Sequence, residues 1–442
     1  MLRRWFLLFA AAVGLLPSGC GGRMMAPPSP VKAGYNPVEL IDPIGEAVES
    51  HSLDTKDFYA LAERVRQERR PAVLPPPKNV LAVSGGGVYG SYCAGILVGW
   101  TKAGTRPTFD VVTGISTGAL IAPLAFLGSE YDDQLETVYT TLKNRDVFRL
   151  KKTLRSVLSE SLADNAPLGV KIEELVTPDL LAAVAAAHAR GRRLYVGTTE
   201  LESRRAVIWD MGEIAARGTP DDLTLFRKVL LASAAIPGFF PPVRIPITVD
   251  GKPLEERHID GGVSNALFFR PPYRPPGTCD SKTALYGTNV YALIAGKMYA
   301  DSSEVSRRAL TIAANSISTL IYAQTRGDLL KLYTACVLTG MNYHVASVPA
   351  GFPTTASSTD FDPKEMARLF AEGRNQVAAG TAFRTTPPGL EKGEGTALRV
   401  GTQLTRRDMT GTNRVGPEPL QQQFPRLGTG LFVPRPTRPI DK

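Results

Sequence analysis

The segment Gly114-Ile115-Ser116-Thr117-Gly118 carries the clearest chemical potential in this sequence. An apolar run from Phe109 to Thr113 precedes it, and a helical pattern from Ala119 to Leu127 follows. Between a strand and a helix, a GxSxG turn of this kind exposes a serine hydroxyl as a nucleophile. Gly114 and Gly118 relieve crowding in so sharp a turn, and the helix N-terminus favours negative charge beside the serine. Such a serine attacks acyl carbonyls if a base takes its proton and fixed donors hold the oxyanion that forms.

Candidate donors stand one strand upstream, in Gly85-Gly86-Gly87-Val88-Tyr89-Gly90. The glycines Gly85, Gly86 and Gly87 allow successive amides to point into one concavity, which suits a phosphate or an oxyanion. With Gly90 the segment also reads GxGxxG, the dinucleotide fingerprint, which requires an acidic residue at the end of the second strand. Asp110 has nearly the right spacing but opens that strand, so the oxyanion reading is preferred.

For the base, the chain offers four histidines, His51, His188, His258 and His344. His51 precedes the core, and His188 lies in an Ala-rich helix as a surface residue. A Ser-Asp-His order would leave His344 as the base of a triad, although no special turn surrounds it. Asp260 is the alternative: Gly261 and Gly262 follow it directly and permit a sharp turn that aims its carboxylate.

Two strand-turn-helix units in succession must position these groups. Val80 to Ser84 reads as a strand, Ser91 to Trp100 as a helix, and the GxSxG unit repeats that grammar. Further strands are expected at Arg193–Thr199, Ala206–Trp209 and Ala284–Ala295. Helices are expected over Thr55–Arg70, most of Thr153–Ala187, Leu223–Ala234, Val305–Tyr333 and Pro363–Val377, with a turn-rich stretch up to Gly262. The pattern predicts an α/β fold in three layers, a mainly parallel central sheet flanked by helices. Residues 1–20 read as a signal segment, 21–77 as a lead-in, 78–380 as the folded domain, and 381–442 as a Pro/Gly-rich flexible tail.

Taken together, these motifs resemble the patatin-like phospholipases, which carry a Gly-rich loop, a GxSxG elbow and an Asp-Gly-Gly or Asp-Gly-Ala triplet in this order. The segment from Ala232 to Pro242 is also similar to one those proteins carry shortly before the Asp. The resemblance implies a serine lipid acyl hydrolase in which Ser116 is the nucleophile, Asp260 the base, and the amides around Gly86 and Gly87 the oxyanion hole. It implies no histidine and no cofactor. Ile236, Phe239 and Phe240 are candidates for an acyl channel or for core packing. The family usually has Arg or Lys where this chain has Tyr89, so weaker discrimination against neutral esters is expected. A Ser-His-Asp esterase using His344, or a non-catalytic lipoprotein, is the alternative.

Arg3 and Arg4, an apolar run from Trp5 to Leu16, and Pro17-Ser18-Gly19-Cys20 form a signal-like segment too short to span a bilayer. Cys20 stands as in a lipobox, with Pro17 where Leu is usual, which predicts a lipidated protein outside the cytoplasm; soluble secretion is the alternative. The formal charge of +9 is spread without a dense basic run. A membrane surface is therefore expected as a partner and nucleic acid is not, while a lipid substrate is what the resemblance implies. The four cysteines, at 20, 93, 279 and 336, include no CxxC pair, so no structural metal is expected. Cys93 reads as buried in a helix, leaving Cys279 and Cys336 as a possible disulfide.

Overall fold

The computed structural model describes residues 55–151, 160–272, 284–301, 309–354 and 357–389. Cys20, His51, Cys279 and the tail from residue 390 lie outside them.

Helix α1 (Thr55–Glu68) precedes strand β1 (Asn79–Val83), helix α2 (Gly90–Lys102), strand β2 (Val111–Ile115) and helix α3 (Thr117–Leu127). These are the two expected strand-turn-helix units. Helices α4 (Asp132–Thr141) and α5 (Asn144–Val147) and a small ribbon of β3 (Arg149–Leu150) and β4 (Ala163–Asp164) follow. The stretch read as mostly helical up to Ala187 divides into α6 (Ala166–Leu175) and α7 (Pro178–Ala189). Thr177 caps α7 with its side chain and Pro178 opens it, a start signal that also ends the preceding helix.

Next come β5 (Arg193–Glu200), β6 (Arg205–Asp210), α8 (Met211–Arg217) and α9 (Pro220–Ser233). The turn-rich stretch after α9 is instead a hairpin of β7 (Val243–Val249) and β8 (Lys252–Asp260). Asp250 and Gly251 join its strands, both with positive φ (50° and 76°), as a two-residue primed turn requires. Strand β9 (Asn289–Ile294) is shorter than expected because residues 284–287 form a turn. Helix α10 (Ala309–Thr339), strand β10 (Asn342–Ser347) and helix α11 (Pro363–Ala378) complete the described chain.

The main sheet runs β10-β9-β1-β2-β5-β8-β7, with β6 also paired to β5. The pairings from β10 through β5 are parallel, and those of β6, β7 and β8 antiparallel. Alternate residues of β1 feed two cores. Leu81 and Val83 pack with α2, α3 and α11 on one face, while Val80 and Ala82 pack with Leu329, Leu332 and Tyr333 of α10 on the other. The protein is thus a three-layer α/β fold, and burial on both faces explains why its central strands are continuous apolar runs.

Candidate active site

Ser116 follows β2 at the carboxyl edge of the parallel sheet, as the residue before α3. Its backbone is left-handed (φ 55°, ψ −125°), a conformation a non-glycine residue holds only when its surroundings enforce it. The enforcing contact is Ser233, whose hydroxyl accepts the Ser116 amide (2.9 Å) and donates to the Gly197 carbonyl (2.7 Å). Gly118 is required by packing: a Cβ there would stand 2.3 Å from the Val83 carbonyl oxygen, so no side chain fits where α3 leaves the sheet.

Asp260 arrives from the opposite direction. Strand β5 continues past the end of β2, and antiparallel β8 pairs with that extension, setting Asp260 opposite Thr198. Since Gly197 is level with Ile115, this register puts Asp260 at the height of Ser116. The Gly262 amide donates to Asp260 Oδ1 (2.7 Å), and the Asp260 amide donates to the Ala235 carbonyl (2.9 Å). Burial pushes the carboxyl up from its ordinary 3.8 to about 6, against the pull of hydrogen bonds from Ser116 and the Gly262 amide.

The glycine loop lies on the other side of Ser116. The Gly85 amide is committed to the Ala266 carbonyl (3.3 Å), whose own amide donates to Asp328 of α10 (2.9 Å). Among the described residues the amides of Gly86 and Gly87 have no acceptor, so these two remain for an anion. Gly86 is wedged against β9, where an added Cβ would fall 1.8 Å from the Ala295 oxygen. Tyr89 does not face the cavity: its hydroxyl meets Thr354, with Asp301 and Glu365 in electrostatic range, and burial raises its pKa. The expected influence of Tyr89 on head-group charge is therefore reduced to bracing the loop.

A cavity of about 340 Å³ opens from Ser116 and Gly87. Leu120, Leu124, Val138, Leu142, Ile172 and Leu175 line it, together with Ile236, Phe239 and Phe240. The last three also pack against the core, so the two roles foreseen for them coincide. Asp146, Lys171 and Glu174 supply charge among the lining residues.

The described histidines stand apart from the serine. His344 lies on β10, three strands from β2 (about 14 Å at the usual strand spacing), and stacks on Tyr291. It cannot serve as the base of a triad with Ser116. His258 is fully buried, with Nδ1 on the Thr198 hydroxyl and Nε2 on Glu256. His188 is mostly covered rather than superficial, packed on Gly212 near Asp210 and Glu213. Asp110 pairs with Lys78 before β2, at the end of the sheet opposite the glycine loop, which removes the carboxylate a dinucleotide site would need. Cys93 and Cys336 are buried free thiols.

Ser233 and Asp328 escape sequence reasoning. Ser233 sits inside the Ala232–Pro242 segment, with nothing local to reveal its partners; Asp328 acts through a contact 62 positions away in the chain.

Residues 81–273 match the family model described as Patatin-like phospholipase. Among solved structures, the chain is similar to VipD from Legionella pneumophila, with 11% identity over 71% of this chain and 68% of that one and a TM-score of 0.34. It is also similar to the type III effector protein ExoU, with 14% identity over 70% of this chain and a TM-score of 0.29. The chain spans 53% of the ExoU chain. No curated protein matches it.

Proposed function

We propose, on the premise that residues 81–273 match the patatin-like phospholipases, that this protein hydrolyses lipid acyl esters with Ser116 as nucleophile and Asp260 as its base. The observation that carries the reading is the apposition of a strained, buried serine and a buried carboxylate at the mouth of an apolar cavity. Ser116 Oγ attacks the ester carbonyl carbon while its proton passes to the Asp260 carboxylate. The oxyanion of the tetrahedral intermediate is held by the amides of Gly86 and Gly87. Collapse breaks the ester C–O bond, the proton on Asp260 passes to the departing alkoxide, and an acyl-Ser116 remains. Water then attacks that ester, giving its proton to Asp260, and the fatty acid leaves as Ser116 Oγ is reprotonated.

The cavity supports a single acyl chain as the buried part of the substrate. With a methylene taken as roughly the ~30 Å³ share of a liquid water, about 340 Å³ holds on the order of ten carbons. Labelling with a fluorophosphonate probe tests the nucleophile: wild-type protein should carry one adduct, mapped by mass spectrometry to Ser116. An adduct on another residue, or none on folded protein, removes the proposal.

The raised carboxyl fixes the pH dependence. Asp260 accepts a proton only when ionised, so kcat/KM should climb through about pH 6 and level off above it. A profile that bends near the ordinary carboxylate value of about 4 would mean that burial does not tune the base.

A further inference from the structure

We infer that the N-terminal half of α10 is a docking surface for a lipid bilayer interface, lying on the membrane beside the catalytic edge. The inference takes its substrate surface from the lipid-hydrolase reading, but the docking itself is measurable without turnover.

The C-terminal half of α10 is anchored. Leu329, Leu332, Tyr333 and Cys336 pack beneath the sheet, and the helix ends just before β10 begins. Asp328 is level with the glycine loop, since it holds Ala266, whose carbonyl takes the Gly85 amide. Tyr322 stands within electrostatic range of Tyr89 and Asp301, at the same carboxyl edge of the sheet. From there the helix continues toward its N-terminus for ~20 Å, at ~1.5 Å per residue.

This half has an unusual surface. From Ala309 to Gln324 it contains no charged residue, and Ile312, Ile317, Leu320 and Ile321 are half or more exposed, Leu320 by 68%. Large apolar side chains concentrated on a charge-free helical surface mark an interaction site. No described helix is long and apolar enough to cross a membrane, and exposed Ile and Leu side chains of this kind bury shallowly at the boundary of headgroups and acyl chains. A bilayer is the occupant favoured by position: the helix rises beside Tyr89, in the loop whose Gly87 lines the cavity, so lipid held there is lipid presented to Ser116. The lack of charge suits insertion among acyl chains of a zwitterionic leaflet rather than ion pairing with a protein.

The test places a reporter on this half of the helix. In the full chain carrying Ser116→Ala, Leu320→Trp should add tryptophan emission that shifts to the blue on palmitoyl-oleoyl phosphatidylcholine vesicles and is quenched when the acyl chains are brominated. Ser116→Ala alone supplies the background of Trp5, Trp100 and Trp209. If the added emission is neither shifted nor quenched, the proposal is overturned, whatever the fate of the hydrolase reading. In the active chain, Ile317→Asp with Leu320→Asp should lower hydrolysis of those vesicles at least tenfold while hydrolysis of monomeric p-nitrophenyl butyrate stays unchanged. Equal loss on both substrates would assign these residues to packing. A wild-type dimer that the double substitution converts to a monomer would identify a second copy as the occupant, and either result overturns the proposal.

Discussion

Ser116→Ala and Asp260→Asn are each expected to lower kcat/KM on every ester by about 10⁴-fold, close to 5 kcal/mol of transition-state stabilisation, and the double substitution to lower it no further. The shared limit arises because a nucleophile without its base and a base without its nucleophile leave the same residual site: two amides and an apolar cavity. Asp260→Asn should carry a second signature. A carboxyl whose folded pKa is raised to about 6 is held protonated by the native state, so its contribution to stability is full below about pH 4 and is lost as pH rises through 6. The displacement from 3.8 corresponds to as much as about 3 kcal/mol at pH 8. An amide of the same shape keeps an acceptor for Gly262 and carries no charge to desolvate. The inactive Asp260→Asn protein should therefore be the more stable one at pH 8, with its advantage shrinking toward pH 4, as read by urea unfolding. An Asn variant less stable than wild type at pH 8 would reject the account of Asp260 as a carboxylate strained by burial.

The second large effect is expected at Gly86. An alanine Cβ would stand 1.8 Å from the Ala295 oxygen, a backbone atom at the end of a central strand, so the loop must move rather than the strand. Displacing the Gly86 and Gly87 amides removes donors aimed at developing charge, and loss of one such donor typically costs 10²- to 10³-fold in kcat, about 3 to 4 kcal/mol. Gly86→Ala should lose activity on that scale in kcat, with KM little altered and fluorophosphonate labelling of Ser116 slowed in parallel, because the phosphonyl oxygen uses the same donors. Retention of more than a tenth of wild-type kcat would take Gly86 out of the oxyanion hole.

Much of this arrangement is legible in the amino-acid sequence. The two strand-turn-helix units, the order of glycine loop, elbow and Asp-Gly-Gly triplet, and the parallel centre of the sheet follow from runs of apolar residues punctuated by glycines, which are local signals. The hairpin of β7 and β8 is less visible, because its outer strands are largely exposed and mix Lys, Glu and Pro with apolar residues; only Asp250-Gly251 announces it. The roles of Ser233 and Asp328 are out of reach for a different reason. Both act on backbone groups far away in the chain, and backbone partners leave no trace in side-chain pattern. His344, the alternative base, shows the converse limit: a plausible place in chain order says nothing about strand order, and β10 lies at the far edge of the sheet.

The route by which Asp260 reaches Ser116 also bears on how this chain becomes active. The proposed nucleophile belongs to an early, parallel unit of neighbouring segments, whereas the proposed base rides on an antiparallel strand that can pair only after β5 has extended beyond β2. Contacts between such distant segments close late, since their loop entropy must be met before they stabilise anything. A chain folded only through α3 would lack both the proton acceptor and the Ser233 hydroxyl that holds the elbow. In the proposed mechanism, catalytic competence thus waits on a long-range strand pairing, and an incompletely folded molecule would hold a serine without its base.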